Sequence, residues 1–148
     1  MPVTVNIRPA TADDAAAIAE VFRAAAQEAC GSAESEVPPM GPPEIHGGEL
    51  VAEDEDGIAG FAVIKDCEVD LLFTHPRAWG QGAARALVVA AEDALRAASC
   101  GEVSLWTEER NANARRLYQA SGWRKTKEVR ERVWNGAPLR ELRYRKRL

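Results

Sequence analysis

Hydrophobic and polar positions alternate at the start of the chain, where Val3, Val5 and Ile7 are separated by Thr4 and Asn6. A period of two predicts a half-buried strand, and Pro9, which has no N–H for a ladder, stops it. The period then changes. Ala15, Ile18, Phe22 and Ala25 recur at helical spacing, predicting a helix from Thr11 as N-cap to about Ala29, ended by Gly31. Asp13 and Asp14 suit the positive end of its dipole, and Asp14 stands in a shortened capping box. Residues 31–48 hold Pro38, Pro39, Pro42 and Pro43 and show no period. They read as a loop whose length favours a functional role, such as a substrate wall.

Glu49 to Glu53 and Ile58 to Lys65 read as strands joined by Asp56-Gly57, a strong hairpin signal. Lys65-Asp66 turns the chain again into a strand from Glu68 to His75, so the middle is an antiparallel meander. After Gly80 and Gly82, an apolar face of Ala84, Leu87, Val88, Ala91, Leu95 and Ala98 marks a long helix closed by Gly101. Val103, Leu105 and Thr107 alternate as a strand. Asn111 or Asn113 caps a shorter helix with Ala114, Leu117, Tyr118 and Ser121 inward and Gly122 as its stop. Trp123 to Leu148 reads as two strands around Asn135-Gly136. The order is β-α-loop-β-β-β-α-β-α-β-β, a single α/β (α+β) domain over residues 1–148 with no repeat.

At 148 residues with 46% hydrophobic and 28% charged side chains, this is the balance of a globular protein with a real core. No apolar run approaches the ~20 residues of a spanning helix, and the N-terminus does not resemble a signal peptide. A cytoplasmic protein without membrane partners is therefore expected. Cys30, Cys67 and Cys100 are odd in number and show no C-x-x-C pairing, which argues against a disulfide scaffold or a metal site and predicts three reduced thiols. The net charge of −4 argues against nucleic acid. It is unevenly spread: the balance is −12 over residues 1–76, +1 over 77–123 and +7 over 124–148.

The chemistry concentrates in Leu72-Phe73-Thr74-His75-Pro76-Arg77-Ala78-Trp79-Gly80-Gln81-Gly82-Ala83-Ala84-Arg85. A strand runs through a glycine turn into a helix. Without side chains at Gly80 and Gly82 an anion can reach the backbone, where the first helical N–H groups and the dipole favour phosphate. No Gly-Lys-Ser/Thr follows, which excludes a P-loop. A Rossmann reading fails because the preceding strand closes an antiparallel meander.

These residues resemble the acetyl-CoA motif of the Gcn5-related N-acetyltransferase (GNAT) superfamily. There an Arg or Gln precedes Gly-x-Gly-x-Gly/Ala; here the stretch is Trp79-Gly80-Gln81-Gly82-Ala83-Ala84, followed by Leu87. A second motif of that family, Asn-x-x-Ala-x-x-Leu-Tyr-x-x-x-Gly-Phe/Trp, is matched by Asn111, Ala114, Leu117, Tyr118, Gly122 and Trp123. The opening Ile7-Arg8-Pro9-Ala10-Thr11 is also similar. The resemblance implies a mixed, mostly antiparallel sheet of about seven strands flanked by helices, with acetyl-CoA as cofactor.

It also implies roles. Leu72, Phe73 and Thr74 would pair with the pantetheine arm, with the Leu72 N–H polarising the thioester carbonyl. Trp79, Gly80, Gln81, Gly82, Ala83, Ala84 and Arg85, with Asn111, Ala114 and Tyr118, would hold the cofactor. Because Trp79 replaces the motif's Arg or Gln, side-chain help to the pyrophosphate falls to Arg77, Arg85 or Gln81; Arg115 and Arg116 stand nearby at a helix start. Tyr118 would protonate the leaving thiolate. An amine of pKa ~10.4 costs on the order of 4 to 5 kcal/mol to deprotonate at pH 7, so a base helps. Glu68 is the first choice; Asp70, on the same face under strict alternation, His46 and water are rivals, and His75 reads as structural. An acetyl-cysteine on Cys67 ranks low, since no histidine is paired with it.

The expected activity is direct acetyl transfer from acetyl-CoA to a primary amine of a small molecule. The alternatives are a CoA-binding or sensing module and a protein N-terminal or lysine acetyltransferase. The acidic part, with Glu34, Glu36, Glu44 and the hairpin from Glu49 to Asp56, would suit a cationic amine. The basic end would face that half or a second copy, and the resemblance is compatible with a homodimer.

Overall fold

The computed structural model describes residues 4–30, 47–134 and 137–148. Its sheet has seven strands: β1 (Asn6–Pro9), β2 (Glu49–Asp54), β3 (Gly57–Lys65), β4 (Glu68–Thr74), β5 (Glu102–Glu108), β6 (Arg124–Trp134) and β7 (Ala137–Arg147). Their order is β1-β2-β3-β4-β5-β7-β6. Every neighbouring pair is antiparallel except β4 and β5, which are parallel. The helices are α1 (Ala15–Cys30), α2 (Ala83–Ala97) and α3 (Ala112–Ala120). This is the mixed seven-stranded architecture implied by the family resemblance.

The sheet is buried on two sides by different chemistry. On one, Ile18 and Val21 of α1 pack on Val51 and Phe61. On the other, Ala83 and Leu87 of α2 pack on Ala52, Ala59 and Ala62. Val51-Ala52 and Phe61-Ala62 are adjacent pairs, so each strand sends a large residue to α1 and an alanine to α2. Small side chains under α2 let it lie close to the sheet. Gly60 extends this: a Cβ there would meet the Phe73 carbonyl at 2.9 Å and Leu87 Cδ1 at 3.1 Å. A third cluster joins α2 and α3 to the far half of the sheet through Val88, Leu95, Leu105, Tyr118, Trp123 and Tyr144. Lys146 of β7 ties the same elements, ion-paired with Glu92 of α2 and donating to the Ser121 carbonyl at 2.7 Å.

Several boundaries differ from the sequence expectation. The first strand is Asn6–Pro9; Pro9 fits inside it because β1 is a sheet edge, where a missing donor costs no ladder bond. The first helix begins with a 3-10 turn over Ala12–Asp14. There Thr11 N–H donates to the Asp14 carboxylate at 2.8 Å, and Arg8 holds that carboxylate at 2.8 and 2.9 Å. β4 ends at Thr74 because His75 caps a second 3-10 turn, Pro76–Ala78. Gly31, most of the proline loop (31–46), and Asn135-Gly136 lie outside the described residues.

The expectation of three reduced thiols is corrected. Cys67 and Cys100 form a disulfide, with their Cα atoms 5.6 Å apart. Cys67 precedes β4 and Cys100 precedes β5. Parallel pairing starts both strands at the same end of the sheet, so residues 33 apart in sequence become neighbours. The side chain of Cys30 falls outside the described ones.

Candidate functional site

The parallel pair β4–β5 is short. Glu68 lies opposite Ser104 and Val69 opposite Leu105, and pairing stops there. β4 stays with β3 to Thr74, while β5 stays with β7 to Glu108. The two strands therefore part as a fork through the middle of the sheet. A bulge accounts for the parting. Val63 faces Leu71 but Ile64 faces Val69, leaving Asp70 as an extra residue that bends and twists β4.

The bulge also overturns strict alternation along β4. Val69 packs in the α2–α3 cluster and Leu72 packs on that same side, whereas Leu71 and Phe73 pack toward α1. Asp70 is exposed at the bulge itself, so simple periodicity no longer assigns it to the face of Glu68. His75 N–H donates to the Ala59 carbonyl at 2.7 Å. Antiparallel bonding alternates, so Phe73 and Leu71 turn their backbone groups to β3. Those of Leu72 and Thr74 turn to the fork.

At the open end of the fork stands the glycine turn. Gly80 and Gly82 have φ of +80° and +87°, and nothing lies within 4 Å of where a Cβ would stand at either. Gly82 is the N-cap of α2 in the left-handed region, where other residues are strained. Ala86 N–H is the first in the helix to find an acceptor, Gly82 O at 3.0 Å. The N–H groups of Ala83, Ala84 and Arg85 have no acceptor among the described residues, as a helix start requires. This open concavity of N–H groups fits a pyrophosphate.

Trp79 crosses the turn: its indole Nε1 donates to the Thr74 carbonyl at 3.1 Å, and the ring is half exposed. Gln81 and Arg85 are exposed and make no side-chain bond among the described residues. Arg77 differs from expectation. It is bound to Asp54 at 2.9 and 3.2 Å and to the Ile58 carbonyl at 3.2 Å, so it clamps the β2–β3 hairpin instead of reaching the cradle. His75 accepts from Arg77 N–H at 3.2 Å, the structural role expected of it.

α3 forms the other flank. Asn111, rather than Asn113, is its cap, accepting from Ala114 N–H at 3.1 Å. Tyr118 is buried against Trp123 and Tyr144, at ring distances of 6.2 and 6.1 Å. Burial pushes its phenol up to about 12, so it holds its proton at any physiological pH. Arg115 is engaged with the Tyr144 hydroxyl and the Glu109 carbonyl, both at 3.1 Å, and Arg116 with Asn113 at 2.6 Å.

Glu68, at the closed end, is half-buried and opposite Ser104. Val69 and Leu105 face α2 and α3, so Glu68, Ser104 and Trp106 share the other face. There sequence reading missed a group: Arg130 and Arg143 lie 4.5 and 5.5 Å from the centre of the Trp106 ring. The alternation Ser104, Trp106 and Glu141, Arg143, Arg145 was the available signal. Three carboxylates of the acidic hairpin are spent internally, while Glu55 and Asp56 at its turn are exposed. Glu49 accepts from Gly47 and Gly48 N–H at 2.8 and 2.9 Å, Glu53 pairs with Arg8 at 3.3 Å, and Asp54 holds Arg77. His46, Glu34, Glu36 and Glu44 lie outside the described residues.

Residues 16–123 match the family model described as acetyltransferase (GNAT) family. The chain belongs to this family. Its members transfer an acetyl group from acetyl-CoA, so the glycine turn and fork belong to an acetyl-CoA-dependent acetyltransferase. Among curated proteins no sequence matches. Solved structures share the GNAT fold along the whole chain. A Gcn5-related N-acetyltransferase from Rhodopseudomonas palustris is 21% identical, with a TM-score of 0.80 over 100% of this chain and 98% of its own. The yncA protein from Salmonella typhimurium, solved with acetyl-CoA, is 21% identical with a TM-score of 0.74 over 97% and 94%. A ribosomal-protein-alanine N-acetyltransferase from Brucella melitensis is 18% identical with a TM-score of 0.75 over 97% and 99%.

Proposed function

We propose that this acetyltransferase moves the acetyl group of acetyl-CoA to a primary amine of a small molecule, with both substrates bound together and the amine attacking the thioester directly. The observation that carries this reading is the fork. It joins the N–H cradle of α2 to a gap that passes through the sheet. The cofactor can then enter from the α2–α3 side while an acceptor approaches from the Trp106 side. Gly80, Gln81, Gly82, Ala83, Ala84 and Arg85 hold the pyrophosphate, with Trp79 bracing the turn and Asn111 and Ala114 shaping the α3 flank. Leu72 and Thr74 line the pantetheine arm; Phe73, expected to join them, instead spends its backbone groups on β3 and its ring on the α1 cluster.

The chemistry divides between the two faces. Leu72 N–H, turned into the fork, donates to the thioester oxygen as negative charge grows there. Tyr118, on the α3 side and protonated, donates to the leaving sulfur. Glu68, on the acceptor face, takes the ammonium proton. Thiol release from acetyl-CoA, measured over a panel of primary amines, tests the proposal. Turnover with at least one amine is expected. Tight acetyl-CoA binding without turnover on any of them would favour a CoA-sensing module instead.

A further inference from the structure

The acceptor-side face of β5, β7 and β6 has no helix over it among the described residues, yet its side chains are firmly held. Arg130 Nε donates to Glu141 at 2.9 Å, and its guanidinium lies against Trp106. Glu141 is also within 3.6 Å of Arg132, so one carboxylate serves two guanidiniums and the group keeps a surplus positive charge. The two terminal nitrogens of Arg130 have no partner among the described residues. Other arginines of the face are spent on partners: the terminal nitrogens of Arg143 donate to Ser104 Oγ and Glu128, both at 3.1 Å, Arg145 donates to Glu102 at 3.1 Å, and Arg110 holds Glu108 at 2.8 Å. What Arg143 and Arg145 leave unpartnered among the described residues is Nε, which is buried and closed to a ligand.

Trp106 is the first residue of β5 beyond the last pair with β4, so Arg130 is stacked at the crotch of the fork. A guanidinium pinned through Nε and stacked on an indole has lost most of its rotamer freedom, and its free edge is preset to take two oxygens of one anion. Building on the transfer reading above, we propose that the acceptor amine also carries a carboxylate, as an amino acid does, and that Arg130 binds this group while the amine enters the fork. This replaces the cationic acceptor expected from the acidic N-terminal half: Glu49, Glu53 and Asp54 of that half are engaged within the fold, while Glu55 and Asp56 stand exposed at the β2–β3 turn.

The experiment compares matched pairs: free amino acids, the same amino acids as carboxamides, and a linear diamine, with thiol release followed at fixed acetyl-CoA. The acid of each productive pair should be favoured at least tenfold in kcat/KM, through KM. Arg130→Gln should collapse that acid-to-amide ratio toward one, and Arg130→Lys should restore part of it. Equal use of acid and amide, preference for the diamine, or an Arg130→Gln effect shared equally by acid and amide would overturn the assignment while leaving the transferase reading intact. Acetyl-CoA binding with no amine turned over would remove the transferase reading, and this one with it.

Discussion

Cys67 and Cys100 are bonded across the closed end of the fork, so β4, the glycine turn and all of α2 lie within one covalent ring. The bond fixes the two strands where they still pair, one residue before Glu68. A ring spanning a separation of 33 residues should stabilise the fold by about 3 to 4 kcal/mol through loss of unfolded-state entropy. Urea denaturation of the native protein, of the protein with dithiothreitol, and of Cys100→Ser should show the last two alike and weaker by that amount. A thiol titration in denaturant without reductant should find one reactive thiol per chain; three would show the bond unformed. Disulfides are rare in a reducing cytoplasm, so the same titration on fresh lysate bears on the cytoplasmic expectation.

Gly82 is required by its backbone rather than by crowding. Its φ of +87° is left-handed, and open space surrounds the missing Cβ. Gly82→Ala should cost about 1 to 2 kcal/mol of conformational strain and also place a methyl in the anion's path. KM for acetyl-CoA is expected to rise about tenfold while Tm falls by a few degrees, both being on the scale of that strain. Gly101→Ala is the control, since that position is open and its φ is not left-handed. An equal effect of the two substitutions on KM would remove the cradle's special role.

Much of this site is legible in the sequence because it depends on local pattern. The period of two in β5, the Asn111 cap and the Gly80-Gln81-Gly82 turn are each set by residues within a few positions of one another. What stayed hidden depends on register between distant segments. The Asp70 bulge carries no glycine or proline to announce it and exists only against β3. Arg77 looked like a phosphate ligand until the hairpin brought Asp54 to it. Cys67 and Cys100 meet only because β4 and β5 run parallel, and Trp106 acquires Arg130 and Arg143 only when β7 and β6 are laid beside β5.

Asp14 makes the N-terminal half acid-sensitive. The Arg8 guanidinium and the Thr11 N–H hold its carboxyl down at about 2, from 3.8. A carboxyl depressed on folding contributes stability above its unfolded pKa and loses it as pH falls through the folded value. Asp14→Asn should therefore be less stable than the native protein at pH 5 to 7. The difference in Tm should shrink steadily between about pH 4 and pH 2, following the two pKa values. A gap that stays constant over that range would mean that packing, not charge, sets the contribution of Asp14.

Tyr118 separates the catalytic reading from simple packing. Its ring fills the core between Trp123 and Tyr144, and its phenol is pushed up to about 12 by burial. Tyr118→Phe keeps the ring and removes only the donor, so Tm should hold within a few degrees. If the hydroxyl protonates the departing thiolate, kcat should fall on the order of 100-fold with KM for acetyl-CoA nearly unchanged. Because the folded phenol stays protonated through pH 10, no alkaline loss of rate from this group is expected in the native enzyme below that point. A loss of kcat in Tyr118→Phe that disappears with a donor carrying a better thiol leaving group would place the hydroxyl at the sulfur. A variant with native kcat on every donor would reduce Tyr118 to a core aromatic.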